Sequence, residues 1–85
     1  MSRIQKRLNR LFQGSKDVKW SEIQTILSYY GCTLEKPNGS HWVVYNKKYS
    51  ELGQITIPVH GNRIKPVYVK RLVQFLEELL EREGD

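Results

Sequence analysis

The 85-residue sequence contains two histidines, His41 and His60, and these are its best candidates for acid–base chemistry. An unperturbed histidine side chain titrates near pH 6.5, so it can accept or donate a proton at about neutral pH. His41 follows Gly39 and Ser40, whereas His60 stands before Gly61. Each also has a structural interpretation, His41 as an exposed or turn-bonded strand residue and His60 as a partner for backbone groups in a loop.

Other kinds of catalytic site have no support in the sequence. It contains no Ser-His-Asp order, no paired-carboxylate motif, no phosphate-binding glycine loop and no cluster at metal-ligand spacing. We therefore expect no bound metal and no cofactor. The single cysteine, Cys32, cannot form an internal disulfide. With no apolar run long enough for a signal peptide or a membrane span, the chain is expected to be cytoplasmic and without membrane contact.

The charge of the chain predicts an anionic partner. Fourteen Lys and Arg residues against nine Asp and Glu residues give a net charge of +5. Nucleic acid is a common partner of small basic domains, because each neutralised phosphate releases a condensed counterion. A solvated surface with an excess of lysine explains the composition equally well.

Residues 1–14 form a basic segment with its own apolar stripe. Ile4, Leu8, Leu11 and Phe12 recur at helical spacing, which predicts a short amphipathic helix. We treat this segment as a unit preceding one domain of residues 15–85. Its basic face is a candidate RNA contact, and a solvated helix is an equally good interpretation.

The rest of the chain predicts an α-β-β-β-α domain. A helix is expected from Ser21, which has capping-box spacing to Gln24, as far as Gly31. A second helix is expected from Pro66, because proline suits the first helical position. Between them, the pattern predicts a short strand through Thr33 and Leu34 and longer strands over residues 41–45 and 54–59, with turns at 37–40 and 46–53.

These strands predict a three-stranded antiparallel sheet with helices covering one face. Alternation along a strand puts His41, Val43 and Tyr45 on one face and Trp42 and Val44 on the other. If Trp42 and Val44 pack under the helices, the His41 side chain lies on the open face.

Three motifs occur in the order Lys36-Pro37-Asn38-Gly39-Ser40-His41-Trp42-Val43-Val44-Tyr45, Ile55-Thr56-Ile57-Pro58-Val59-His60-Gly61 and Lys65-Pro66-Val67-Tyr68-Val69. In this order they resemble the HicA (YcfA-like) mRNA interferase toxins of type II toxin-antitoxin systems, from about Val18 to Leu79. The resemblance implies a double-stranded-RNA-binding-domain-like fold, mRNA cleavage that stops translation and neutralisation by a HicB-like antitoxin. It also implies that His41 is the catalytic residue.

An RNA-cleaving site of this kind needs few protein groups. RNA carries its own nucleophile, the 2′-hydroxyl, so His41 can act as general base or acid without a metal. Tyr45 is a candidate for stacking a base, and His60 for a second acid or a phosphate contact. The residues expected to bind RNA are Lys36, Ser40, Arg63, Lys65, Lys70 and Arg71.

Two alternatives remain open at this point. The same fold and charge suit a non-catalytic RNA-binding module in which His41 is one contact among several. The open sheet face and the first helix also suit a protein-docking surface with no nucleic acid involved.

Overall fold

The computed structural model describes residues 3–13 and 18–84. Its helices are α1 (Arg3–Phe12), α2 (Trp20–Tyr29) and α3 (Pro66–Glu83). Its strands are β1 (Thr33–Asn38), β2 (His41–Tyr45) and β3 (Gln54–Pro58), with a short 3-10 turn at Ser50–Leu52 before β3. The element order confirms the predicted α-β-β-β-α arrangement with a further helix in front.

The sheet is an antiparallel meander in which the strand order β1-β2-β3 follows the chain. β1 is longer than predicted and continues to Asn38, although its register shifts between Glu35 and Asn38. The predicted turn of residues 37–40 therefore shrinks to Gly39 and Ser40, with Asn38 paired to His41. Gly39 has a φ of 41°, which glycine adopts without the steric cost of a side chain.

Helix α3 begins as the sequence predicts, with Pro66 in its first turn, and ends at Gly84, whose φ of 83° is left-handed. Its apolar stripe is buried through Val69, Leu72, Phe75, Leu76 and Leu79. Tyr68, predicted to belong to this stripe, is only half-buried at its edge.

Helix α2 begins differently from the prediction. It starts at Trp20, and the residue before it makes no side-chain capping bond, so the predicted capping box at Ser21 is wrong. The cap comes instead from Asn62, whose Oδ1 accepts the Ser21 backbone N–H at 2.9 Å and whose carbonyl accepts the Trp20 N–H at 3.0 Å. At the other end of the helix, Gly31 has a φ of 76° and confirms the predicted left-handed cap.

Helix α1 confirms the amphipathic helix expected in residues 1–14. Leu8 and Leu11 are 5% and 2% exposed and belong to the same core cluster as α2 and α3. The side chains of Ile4 and Phe12 are not described, and the predicted boundary at residues 14 and 15 lies outside the described residues.

The helices cover one face of the sheet and leave the other open. Val44 and Ile57 are fully buried under the helices, together with Leu72 and Leu76. Trp42 packs partly against this core, with its ring centroid 5.4 Å from that of Trp20. The alternate positions of β2, which carry His41, Val43 and Tyr45, therefore face away from the helices.

Candidate active site and nucleic-acid interface

The His41 side chain is exposed at the first position of β2, on the open face of the sheet. On one side its backbone pairs with Pro58 of β3, and on the other with Asn38 of β1. The backbone N–H of Val59 donates to the Ser40 carbonyl at 2.7 Å, which continues the ladder just past the strand ends. The backbone therefore holds His41 firmly while its imidazole stays accessible from solvent.

His60 lies at the same end of the sheet. Its backbone exchanges two hydrogen bonds of 3.1 Å with Arg63, and the two residues between them, Gly61 and Asn62, have φ values of 57° and 65°. Two consecutive positive φ values are typical of a type I′ turn. Val59 before it is buried, so alternation turns the exposed His60 side chain toward the open face, as for His41.

Among the described residues, three exposed cations surround this turn. Arg63 closes it, and Lys65 comes directly before α3, whose N-terminus favours a phosphate. The third is Lys19, which pairs with Arg63 through a backbone bridge. Sequence reasoning did not single out Lys19 for the site, because only the fold brings it next to a residue so distant along the chain.

These cations carry no ion pair with another described residue. The ion pairs join Arg10 to Glu22, Lys48 to Glu83 and Arg82 to Glu51. A phosphate approaching Lys19, Arg63 or Lys65 thus displaces no carboxylate among the described residues.

The structure does not gather all predicted RNA-binding residues at this end. The Lys36 ammonium lies 5.8 Å from the ring centroid of Trp42, a ring that faces the helices, so it is on the other side of the sheet from His41. Arg71 lies over Tyr68 at 5.7 Å and lines a shallow groove beside β3. Lys70 is exposed on α3, and Ser40 is half-buried beside His41 with its carbonyl bonded to Val59.

Tyr45 occupies the far end of β2 on the same face as His41. Its hydroxyl donates to Glu35 Oε1 at 2.7 Å, and this hydrogen bond is the main cause that raises the pKa of Tyr45 above its ordinary value. The ring is half-buried and borders a recess between the end of β2 and the start of β3. The open face therefore has a histidine at one end and an aromatic ring at the other.

Comparison with known protein families identifies the family of this chain. The model of the family described as "HicA toxin of bacterial toxin-antitoxin" matches residues 20–81. The chain belongs to the HicA toxin family. The matched segment runs from the start of α2 almost to the end of α3, so it includes the whole sheet and His41 but not α1. No curated protein and no solved structure matches the chain.

Membership of the HicA family makes the chain a toxin of a toxin-antitoxin system and implies an antitoxin partner. Among the described residues no three His, Cys, Asp or Glu side chains group as metal ligands. Within the same part of the chain no helix has the length and apolar character needed to cross a membrane.

The cysteine of this HicA protein has the surroundings of a structural residue. Burial is the larger influence and raises the pKa of the Cys32 thiol, while a hydrogen bond from Asn46 acts in the opposite direction. Since the thiolate is the nucleophilic form, a raised pKa makes Cys32 a poor nucleophile at neutral pH. The two histidines are exposed acid–base groups at the His41 end of the open face.

Proposed function

We propose that this HicA toxin is an endoribonuclease that cleaves mRNA on the open face of its sheet, with His41 as the general acid–base residue and without a protein-bound metal. The main support is the position of His41. Its imidazole is exposed on the face that no helix covers, at the end of the sheet where Arg63 and Lys65 form no ion pair with another described residue.

The reaction uses the nucleophile within the substrate. A base removes the proton of a ribose 2′-hydroxyl, the 2′-oxygen forms a bond to the adjacent phosphorus, and the bond to the 5′-oxygen breaks. That leaving oxygen takes up a proton, and the cleaved strand ends in a 2′,3′-cyclic phosphate. His41 serves one of the two proton transfers, and His60, at the same end of the sheet, is the candidate for the other.

The cations give this reaction its electrostatic support. Negative charge grows on the phosphate oxygens as the 2′-oxygen attacks, and positive groups near that position lower the barrier. Arg63, Lys65 and Lys19 surround the turn that follows β3, close to His41. Their contribution to binding should weaken steeply between about 50 and 200 mM salt, because phosphate binding releases counterions.

The antitoxin partner is proposed to be a HicB-like protein that covers the open face in the cytoplasm. A protein in that position would keep RNA from His41 without altering the toxin fold. The open face presents exposed polar groups at His41, Thr56 and Gln54 for such a contact.

The decisive experiment compares wild type with His41→Ala on a fluorescent RNA in the presence of a chelator. Loss of a positioned acid–base group typically lowers the rate by about 10² to 10⁴-fold, and we expect a loss of this size with RNA affinity unchanged within a few-fold. His60→Ala tests the candidate for the other proton transfer and should also lower the rate of cleavage, with RNA affinity again unchanged within a few-fold.

The outcomes separate the candidate functions. Undiminished cleavage by His41→Ala would exclude His41 from the chemistry. Tight RNA binding by a wild-type protein that never cleaves would favour the non-catalytic binding module. In cells, expression without the antitoxin should arrest growth for wild type but not for His41→Ala.

A further inference from the structure

A second feature of the open face lies at the end of the sheet opposite His41. It is a recess of about 370 Å³, which we call the end pocket. Its lining residues are Tyr45, Asn46, Lys47, Ser50, Gly53 and Gln54. A volume of this order falls within the range of pockets that hold small organic groups.

The aromatic wall of the end pocket is held in place. The bond from the Tyr45 hydroxyl to Glu35 Oε1, at 2.7 Å, ties the ring across the sheet to β1. Tyr45 also sits directly opposite Gln54 in the antiparallel ladder. A ring fixed before the ligand arrives loses little conformational entropy on binding.

The loop wall is also preformed. Asn46 is 2% exposed, and its Oδ1 accepts the backbone N–H groups of Lys48 and Tyr49 at 2.9 and 3.3 Å. Its Nδ2 donates to the carbonyl of Tyr30 at 3.1 Å, which anchors the loop to the end of α2. Gly53 closes the loop with a φ of 73° and a ψ of −159°, a combination that only glycine adopts readily.

The end pocket and His41 belong to one continuous surface. His41 and Tyr45 are four positions apart on the same face of β2, and a strand rises about 3.3 Å per residue, which separates them by roughly 13 Å. A single RNA strand laid along the open face from His41 would therefore pass over the pocket within a few nucleotides.

We propose that the end pocket binds an unstacked base of the same RNA strand that His41 cleaves, and so sets the sequence preference of cleavage. This inference rests on the proposed ribonuclease function. The Tyr45 ring stacks on the base, the Gln54 amide can donate to and accept from its edge, and the Lys47 ammonium meets a neighbouring phosphate. Gln54 and Lys47 are exposed, and Lys47 forms no ion pair with another described residue.

A nucleobase suits this site better than a peptide side chain. Single-stranded RNA is recognised mainly by stacking bases on aromatic side chains and by hydrogen bonds to base edges. The pocket places an aromatic ring, an amide and a cation together, in a protein whose net charge of +5 favours a polyanion.

The first test measures binding without cleavage. In a His41→Ala background, the affinity for a short fluorescent single-stranded RNA is measured by anisotropy for Tyr45→Ala, Tyr45→Phe and Gln54→Ala. Stacking on an aromatic side chain is worth about 5- to 150-fold in affinity per base, so Tyr45→Ala should weaken binding within this range. Tyr45→Phe keeps the ring and should bind within a few-fold of its parent.

The matched control is Tyr29→Ala. Tyr29 is a tyrosine 64% exposed on α2, away from the open face, and its loss should leave RNA affinity unchanged. Tyr45→Phe also controls for folding, because it loses the same bond to Glu35 as Tyr45→Ala. Equal weakening by the two Tyr45 variants would overturn the stacking role.

The second test uses the active protein and RNAs in which one base at a time is removed. One abasic position on a fixed side of the cleavage site should slow wild type, and the same position should have no further effect on Tyr45→Ala. An identical abasic profile for the two proteins would overturn the end pocket as a base site.

The two proposals fail in distinguishable ways. Cleavage that depends on His41 but not on Tyr45 would overturn only the proposal for the end pocket. If RNA binding depends on Tyr45 but the wild type never cleaves, the proposed ribonuclease function is overturned and the base-binding site stands. Protection of Tyr45 by a peptide but not by RNA would assign the pocket to a protein partner and overturn the proposal.

Discussion

The two ends of the sheet are held by different kinds of bond. At the His41 end the closing bonds are backbone bonds, from Val59 to Ser40 at 2.7 Å and between His60 and Arg63 at 3.1 Å. At the opposite end, side chains add to the backbone bonds of the loop before β3, through the buried Asn46 and the pair of Arg82 with Glu51 at 2.8 Å.

Because of this difference, substitutions at the two ends should affect different properties of the protein. Backbone closure leaves the His41, His60 and Arg63 side chains available to a ligand, so they can be replaced at little cost to folding. Side-chain closure makes the other end sensitive to substitution, but it gives the end pocket rigid walls.

The largest effect on stability is expected at Asn46. Asn46→Leu keeps the volume but removes the side-chain donor to the Tyr30 carbonyl and the acceptor of the Lys48 N–H. Removing one partner of a buried hydrogen bond typically costs about 1–3 kcal/mol, so the free energy of unfolding should fall by about 3 kcal/mol. Urea unfolding measures this difference.

The control for Asn46→Leu is His41→Ala, at the opposite end of the sheet. An exposed side chain without such bonds should change the free energy of unfolding by less than about 0.5 kcal/mol. A comparable loss from both substitutions would remove the contrast between the two ends.

An intermediate effect is expected at Asn62, which joins the His41 end to α2. Asn62→Gly keeps the positive φ of 65° but removes the Oδ1 that accepts the Ser21 N–H. Loss of an N-terminal cap typically costs about 1 kcal/mol. The measurement is thermal unfolding, with hydrogen exchange of the Ser21 amide as a local readout.

Ser21→Ala is the variant that sharpens this test. The Ser21 hydroxyl accepts a long hydrogen bond from the Asn62 amide, at 3.4 Å, so its removal should cost a few tenths of a kcal/mol. If Ser21→Ala destabilises the protein more than Asn62→Gly, the N-terminus of α2 is capped by Ser21 and not by Asn62.

The smallest effect is expected from the exposed pair at the Asn46 end. The hydrogen bond from Arg82 is the main cause that lowers the pKa of Glu51 below its ordinary value of 4.5. A lowered folded-state pKa means that the contribution to stability is present above pH 4.5 and is lost as the pH falls through the folded-state pKa. The urea midpoints of wild type and Glu51→Gln should therefore differ slightly at neutral pH and converge in acid.

High salt provides the second check on this pair. Because both side chains are substantially exposed, about 1 M salt should screen their attraction and bring the two midpoints together at neutral pH. A difference that survives both acid and salt would show that Glu51 acts through packing and not through its charge.

The strands and α3 could be predicted because their signals are local. Pro66 marks the start of α3, and alternation from His41 to Tyr45 correctly separates the open face from the covered one. The capping box predicted at Ser21 was wrong because the cap of α2 is Asn62, which is distant in sequence and close only in the fold. No local pattern at Ser21 contains that information.

The features of the site that depend on local sequence could be predicted, and those that depend on the fold could not. The exposure of His41 was predictable from strand periodicity, whereas the pairing of Lys19 with Arg63 depends on how the turn after β3 meets α2. Lys36 was expected beside His41 because the two are close in sequence. Glu35 pairs with Val43 on the open face, so alternation along β1 puts Lys36 on the other face, where its ammonium lies over Trp42.

The strand order β1-β2-β3 also bears on folding kinetics. Each strand pairs with its neighbour along the chain, so every closure spans a short loop and the contact order of the sheet is low. Small domains with such topology typically fold on the order of milliseconds. A newly synthesised toxin molecule would then reach its folded form almost at once.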